Sequence, residues 1–229
     1  SPNDDIEIGY DGTERLTLSL KPAPLPHRGG DIPLNIDPDW VIMLTGGVRG
    51  ITAEFGKYIA RLARPTLLIV GRSPGPGEES PQTAALQTPD ELRSHLVEQM
   101  RASNQKSTPK EVEDTLQRIL QNREMQNNIK IMRAAGSNVE YHQVDVRDEQ
   151  AFGGFIDTVY SQFQRLDGVI HGAGIIQDKL VEDKSSESFN TVFDTKTDSS
   201  FVLAKKLRPD SLHFLVFFSS SAARLGNRG

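Results

Sequence analysis

Apolar residues fall in short runs separated by stretches of helical period, and the first such run is Val41-Ile42-Met43-Leu44. Four apolar residues in succession suit a strand covered on both faces. The turn that follows, Thr45-Gly46-Gly47-Val48-Arg49-Gly50, is glycine-rich, and from Ile51 the period becomes helical through Phe55, Ile59 and Leu62. The pattern then repeats as strand 66–70, a long helical region, strand 139–144, helix 148–163, strand 168–171, helix 186–206 and strand 212–218. Alternation of this kind predicts an α/β fold, a doubly wound parallel sheet of Rossmann-like type.

Two stretches depart from the alternation. The region 74–137 is longer than a crossover needs and reads as a helical insertion: a loop rich in Pro, Gly, Ser and Glu, then helix starts at Thr88-Pro89 and Thr108-Pro109. Val112, Leu116, Ile119 and Leu120 give its second helix an apolar stripe. At the other end, Ile6 and Ile8 alternate with polar residues, Asp11-Gly12 is a tight-turn dipeptide, and Leu16, Leu18 and Leu20 alternate again, which predicts an N-terminal β-hairpin. An isolated hairpin is barely stable, so it should belong to a preceding subdomain or pack on the following one. Prolines 22, 24, 26, 33 and 38 then mark a linker, placing the expected boundary between 1–38 and 39–229.

Composition narrows the function classes. The 229 residues carry a net charge of −5, which gives no basic footprint for nucleic acid, and no apolar run of about 18 residues suggests a membrane span. Cysteine is absent, which removes disulfides and thiolate chemistry and is compatible with a cytoplasmic location. No cluster of metal ligands stands out.

In a doubly wound sheet ligands lie beyond the carboxyl ends of the strands, so the residues after each strand carry the chemistry. After the first strand, Thr45, Gly46, Gly47, Arg49, Gly50 and Ile51 offer either a bare tight turn or a helix N-terminus aimed at a pyrophosphate. After the second, Gly71-Arg72-Ser73 puts an arginine where an acidic residue would bind a 2′-hydroxyl; arginine suits a 2′-phosphate, which favours NADPH, and Arg49 can close on the same group. Asp145-Val146 after the third can meet an adenine edge or simply cap a helix. After the fourth, Gly172, Ala173 and Gly174 leave room for a ribose, whereas His171 reads as a packed strand-end histidine. Phe189, Val192, Phe193, Lys196 and Leu203 recur at helical spacing, so Lys196 is expected to point inward, where an ammonium without a purpose is costly. Ser219, Ser220 and Ser221 close the fifth strand, with hydroxyls able to bond a carbonyl.

Taken together, Thr45-Gly46-x-x-x-Gly50-Ile51, Asp145-Val146, His171-Gly172-Ala173-Gly174, Lys196 and Phe218-Ser219-Ser220 resemble the short-chain dehydrogenase/reductase superfamily. The closer resemblance is to the ketoreductase domain of modular polyketide and polyunsaturated-fatty-acid synthases. It implies catalysis by Lys196 and Ser220 with a tyrosine and an asparagine, and both of those would fall beyond Gly229, leaving the catalytic domain C-terminally incomplete. It also implies that Asp178, and the position of the opposing group's tryptophan, which maps onto Leu225, govern stereochemistry and favour the D-type hydroxyl. Thr52 stands where a typical member has the last glycine of its turn, which calls for a slightly wider approach of helix to strand.

The implied function is NADPH-dependent reduction of a β-keto group on a thioester carried by acyl carrier protein, within a multidomain synthase. Other readings remain: a free-standing reductase of a small ketone, an inactive cofactor-holding fragment, and a Rossmann-type epimerase.

Overall fold

Asp11-Gly12 turns the chain back on itself and joins β1 (Ile8–Asp11) to antiparallel β2 (Glu14–Thr17). The computed structural model describes residues 8–17, 19, 21–23, 35–102, 108–220 and 222. The chain forms two compact units, Ser1–Asn35 and Ile36–Gly229, and the hairpin belongs to the first. Its register pairs Ile8 with Thr17 and Leu16 with Gly9, so Ile8 and Leu16 lie on opposite faces of the ribbon. Ile6, Leu18 and Leu20 lie outside the described residues.

The second unit is a five-stranded parallel sheet built from β3 (Val41–Thr45), β4 (Thr66–Gly71), β5 (Val139–Gln143), β6 (Gly168–His171) and β7 (Phe214–Phe217), in the order β5-β4-β3-β6-β7. Side chains alternate across a strand, and here both sets are apolar. Ile42 and Leu44 enter one core with Leu67 and Ile69, while Val41 and Met43 enter the other with Leu68 and Val70. Helices α1 (Gly50–Ala63) and α4 (Pro109–Ala134) cover the first face; α5 (Glu149–Phe163) and α6 (Ser186–Lys206) cover the second. Between α1 and α4 run α2 (Pro81–Ala84) and α3 (Pro89–Ala102).

Two helices present different faces from those the apolar stripes predict. On α1 the buried residues are Thr52, Ala53, Gly56, Ile59, Ala60 and Ala63, whereas Ile51, Phe55 and Leu62 are exposed. Small residues let the helix lie close: a Cβ on Gly56 would sit 3.0 Å from Leu44 Cδ1 and 3.1 Å from Met132 Sδ. On α6 the buried set is Ser188, Thr195, Ser199, Val202 and Leu203; Phe189 and Phe193 are exposed and stack on each other at 5.5 Å.

The insertion is also more closely joined to the sheet than its sequence suggests. Thr108 accepts from Glu111 N–H while the Glu111 carboxylate accepts from Thr108 N–H, a capping box that starts α4 where the Thr-Pro pair predicts. Its first half packs on α3 through Leu92, Leu96, Val112 and Leu116. Its second half turns Met125, Ile129 and Met132 onto the sheet, so α4 is at once insertion and crossover helix.

At the amino ends of the strands, Asp167 is 1% exposed and accepts from Val41 N–H at 2.8 Å and from Arg165 Nε and Nη2 at 2.8 and 2.6 Å. Its backbone accepts from His213 N–H, and the His213 ring stacks on Trp40 at 4.4 Å. This corner ties β3, β6 and β7 at one end and leaves the other end free to part. Removing the carboxylate orphans a buried N–H and a partly buried guanidinium, so Asp167→Ala should lower the unfolding free energy by about 2 to 4 kcal/mol in urea denaturation. Asp167→Asn, which keeps an oxygen for Val41 N–H, should lose less; equal midpoints for wild type and Asp167→Ala would contradict this account.

Candidate functional site

The chain leaves β3 toward β4 and leaves β6 toward β7, so the carboxyl ends of β3 and β6 diverge into a crevice. The Gly46 backbone, with φ of 72°, occupies the left-handed region, and a Cβ there would meet the Ala173 and Gly172 backbones at 3.2 Å. A Cβ on Gly47 would lie 2.6 Å from Leu44 Cβ. A side chain at either point would be crowded, and the turn becomes exposed only at Arg49 and Gly50. It feeds directly into α1, whose N-cap Arg49 makes no side-chain cap hydrogen bond. This is the positively polarised helix start that suits a phosphate group, and the Glu124 carboxylate occupies its first N–H, on Gly50, at 3.3 Å.

Thr52 meets its neighbour across the crevice at Gly172. It is buried, and its Oγ1 fills the place that a Cβ on residue 172 would need. The glycine missing from position 52 is balanced by the one at Gly172.

The second and third strand ends carry the charged groups. Arg72 and Ser73 are exposed past β4, with Gln143 Nε2 donating to Arg72 O at 3.3 Å and Tyr141 O–H donating to Ser73 O at 2.7 Å. Arg49 lies near enough to Tyr141 to draw its hydroxyl pKa down, against a larger rise from burial. Asp145 is not a helix cap; Asp148 caps α5 by accepting from Ala151 N–H at 2.9 Å. Instead the Asp145 carboxylate takes a forked bond from Arg147, with Nη2 at 2.6 Å, which lowers its pKa, and the Arg72 charge lowers it further. Val146 buries its side chain in the core.

The fourth strand end holds a chain of buried hydrogen bonds. Ala173 N–H donates to Thr45 Oγ1 at 3.1 Å, Thr45 Oγ1 lies 2.8 Å from His171 Nδ1, and His171 Nε2 lies 2.9 Å from Ser199 Oγ, which donates to Thr195 O at 2.5 Å. Thr45, His171 and Ser199 have no measurable exposure. Burial first, and then the charge of Lys196, push the His171 pKa down to about 4. Lys196 stands beside this chain. Its Nζ donates to Phe218 O at 3.1 Å, and the side chain passes within 3.7 Å of a Cβ position on Gly174, so the ammonium sits between the ends of β6 and β7. Burial lowers its pKa.

Ser219 and Ser220 are exposed just beyond β7, where Ser220 Oγ accepts from Ala222 N–H at 3.1 Å. Asp178 is exposed in the segment after β6, which Ser188 anchors by donating to Gln177 Oε1 at 2.8 Å. Ser221 and Leu225 lie outside the described residues. The strand ends thus bring the glycine turn, Gly172 to Gly174 and Lys196 to one crevice, with Arg72 and Asp145 along the sheet toward its β5 edge.

Residues that the sequence reading passed over also shape the site. Asn128 is buried on α4 and donates to Val48 O at 2.9 Å, and Glu124 accepts from Gly50 N–H at 3.3 Å. Asn128 sits among Met125, Ile129 and Met132 at helical spacing, and a polar residue on that apolar side was a legible signal. Ser199 and Thr195 carry the same signal beside Val202 and Leu203. Among the described residues no group of three or more His, Cys, Asp or Glu could hold a metal ion, and no helix is long and apolar enough to cross a membrane.

Residues 41–229 match the KR domain family. Among curated proteins, the chain is 28% identical over 187 residues to polyketide synthase PksM of Bacillus subtilis, covering 82% of this chain and 3% of that protein. It is 25% identical over 233 residues to a polyunsaturated fatty acid synthase protein of a Thraustochytrium species, covering 98% of this chain and 8% of that protein. The chain therefore spans a small part of these relatives. Among solved structures, a ketoreductase domain from the bacillaene assembly line superposes with a TM-score of 0.64 at 22% identity, covering 97% of this chain and 41% of that one. An N-terminal ketoreductase from the macrolactin assembly line gives 0.62 at 22%, covering 94% and 33%.

The depressed pKa of His171 has a consequence for stability. Between pH 6.5 and about 4 the unfolded chain binds a proton at this residue and the folded chain does not, so stability is full above 6.5 and falls as the pH drops. The drop amounts to about 3 kcal/mol from this group. Denaturation at pH 7 and pH 4 should show an acid loss larger by that amount in wild type than in His171→Gln, and equal losses would contradict the assignment.

Proposed function

The chain belongs to the KR domain family of the short-chain dehydrogenase/reductase superfamily, and from that premise we propose that it serves NADPH-dependent β-ketoacyl reduction of thioesters carried by acyl carrier protein. The observation that supports this best is the position of Lys196, its Nζ held by Phe218 O at the edge of a crevice floored by Gly46 and Gly172 to Gly174.

The residues fit a dinucleotide. Gly47 and Ile51 would present backbone N–H groups to its pyrophosphate, Gly50 would join them once its N–H leaves Glu124, and Gly46, whose own N–H donates to Val70 O at 2.8 Å, would shape the turn. Arg72 and Arg49 would hold the 2′-phosphate; both are exposed at the same side of the site, and an arginine fork matches phosphate geometry. Asp145, Val146 and Ser73 would border the adenosine, and Ala173, Gly174 and Ser219 the inner ribose and nicotinamide, with the buried Thr45 supporting them from beneath through Ala173 N–H. Bound there, the reduced nicotinamide supplies a hydride to the β-carbon of the ketone.

The chain's own contribution is then to orient and to manage charge. Ser220 would donate a hydrogen bond to the carbonyl oxygen as negative charge develops on it. Lys196, a cation beside the strand ends, would lower the pKa of the tyrosine that the family resemblance places beyond Gly229, so that this tyrosine delivers the proton to the oxygen. Asp178, beyond the anchored Gln177, would bear on which face of the ketone is presented, giving the D-type alcohol. The synthase context of the relatives supports neighbouring synthase domains as partners.

Cofactor choice tests the first half of this reading. Losing one charge-assisted phosphate contact costs about 1.5 to 3 kcal/mol, so Arg72→Ala should weaken NADPH binding about 10-fold to 100-fold and leave NADH nearly unchanged in a fluorescence titration. Equal wild-type affinity for the two cofactors would exclude the 2′-phosphate reading. For the second half, a protein carrying this chain together with the downstream tyrosine should oxidise NADPH with a β-ketoacyl thioester. There Lys196→Met should reduce turnover about 100-fold or more, in line with the contribution of positioned acid catalysis, while leaving the melting temperature nearly unchanged. An unaltered rate would remove Lys196 from the mechanism.

A further inference from the structure

His171 is a buried titratable group that the proposed chemistry does not use, and its two nitrogens face partners on two different elements. The proton order along that chain can be worked out from its ends. Ala173 contributes a backbone N–H, which can only donate, and Thr195 contributes a backbone carbonyl, which can only accept. Ser199 has one hydroxyl hydrogen, and the short contact of 2.5 Å assigns it to Thr195 O. The Ser199 oxygen must then accept from His171, so Nε2 carries a hydrogen. In a neutral ring Nδ1 is left with a lone pair, which accepts the Thr45 hydroxyl hydrogen, and the Thr45 oxygen accepts from Ala173 N–H. Every donor has one acceptor and none is left over. The opposite tautomer fits less well: with the hydrogen on Nδ1, Ser199 would have to turn its single hydroxyl hydrogen to the bare Nε2 and give up the 2.5 Å contact with Thr195 O, and the Thr45 hydroxyl would lose its acceptor. A doubly protonated ring would turn the Thr45 hydroxyl out of its bond and place a buried cation beside the half-buried Lys196.

Thr195 and Ser199 lie on either side of Lys196 on α6, and the Lys196 backbone carbonyl is itself 3.3 Å from Ser199 Oγ. The turn of α6 that carries the lysine is therefore hydrogen-bonded, through one imidazole, to the start of the glycine turn. We propose that His171 is a positioning residue, an uncharged Nε2–H imidazole that holds Lys196 in register with the glycine turn through a one-way chain from Ala173 N–H to Thr195 C=O. Its bearing on catalysis rests on the role proposed above for Lys196; the chain itself does not.

The test uses the full chain labelled with 15N-histidine and 13C-lysine. Long-range 1H–15N spectra of wild type should show His171 as a single neutral tautomer with the proton on Nε2, unchanged from pH 8 down to near its titration at about pH 4. Thr45→Val removes the donor to Nδ1. It should broaden or mix the tautomer signature and shift the Lys196 Cε titration curve, although Thr45 is joined to the Lys196 turn only through His171 and Ser199. Thr45→Ser, which keeps the hydroxyl, should restore both. An Nδ1–H tautomer in wild type overturns the proposal, and so does a Lys196 curve that is the same in Thr45→Val and wild type. If Thr45→Val does not fold, Ser199→Ala provides the same comparison from the other side of the ring, and the wild-type tautomer decides in any case. Failure of wild type to bind NADPH would count against the cofactor reading and leave these spectra to judge the imidazole.

Discussion

A histidine buried between a strand end and a helix has to satisfy two ring nitrogens without carrying charge, and much of this site's geometry follows from that requirement. His171 meets it with Thr45 on one side and Ser199 on the other, so β3, β6 and α6 share one set of hydrogen bonds at the point where the sheet opens. Each bond is worth only about 1 kcal/mol net, yet leaving any one unmade in a dry interior costs more than that. Such a set is therefore occupied as a whole or not at all. At the opposite ends of the same strands Asp167 performs the equivalent task with charge, gathering Val41, Arg165 and His213. Between these two points the strands are apolar on both faces, and their direction is settled.

The crevice is shaped by what is absent as much as by what is present. Gly46, Gly47 and Gly172 stand where a single methyl group would collide with backbone or a neighbouring side chain. Thr52 reaches into the space that Gly172 leaves, so the first turn of α1 and the segment after β6 meet through this pair. From the other side, α4 grips the turn through Asn128 and Val48 O. The long helix thus links the insertion, which has its own small core of Leu92, Leu96, Val112 and Leu116, to the glycine turn.

The strands and the order of elements were legible because runs such as Val41 to Leu44 and Leu67 to Val70 are apolar on both faces and have few other uses. The start of α4 was legible from Thr108-Pro109, where local capping chemistry decides the structure. Helix faces were not. Ile51, Phe55 and Leu62 form the larger apolar stripe on α1, but a helix lying close on a sheet needs small residues, and Ala53, Gly56 and Ala60 took that side. The stripe on α4 changes partner from α3 to the sheet partway along, so no single periodicity describes it. The strand-end positions of the site were readable one by one. The partners of His171 were not, since Thr45 lies 126 residues and Ser199 lies 28 residues away in sequence.

On the function proposed, the diverging ends of β3 and β6 hold a dinucleotide, governed by the glycine turn and Lys196. Backbone amide shifts recorded while NADPH is added to the 15N-labelled chain address it directly. The largest changes are expected at Gly46 to Ile51, Arg72 to Ser73, Ala173 to Gly174 and Lys196. Changes confined to the groove between α4 and β5, lined by Pro76, Gln126, Arg133 and Tyr141, would contradict it.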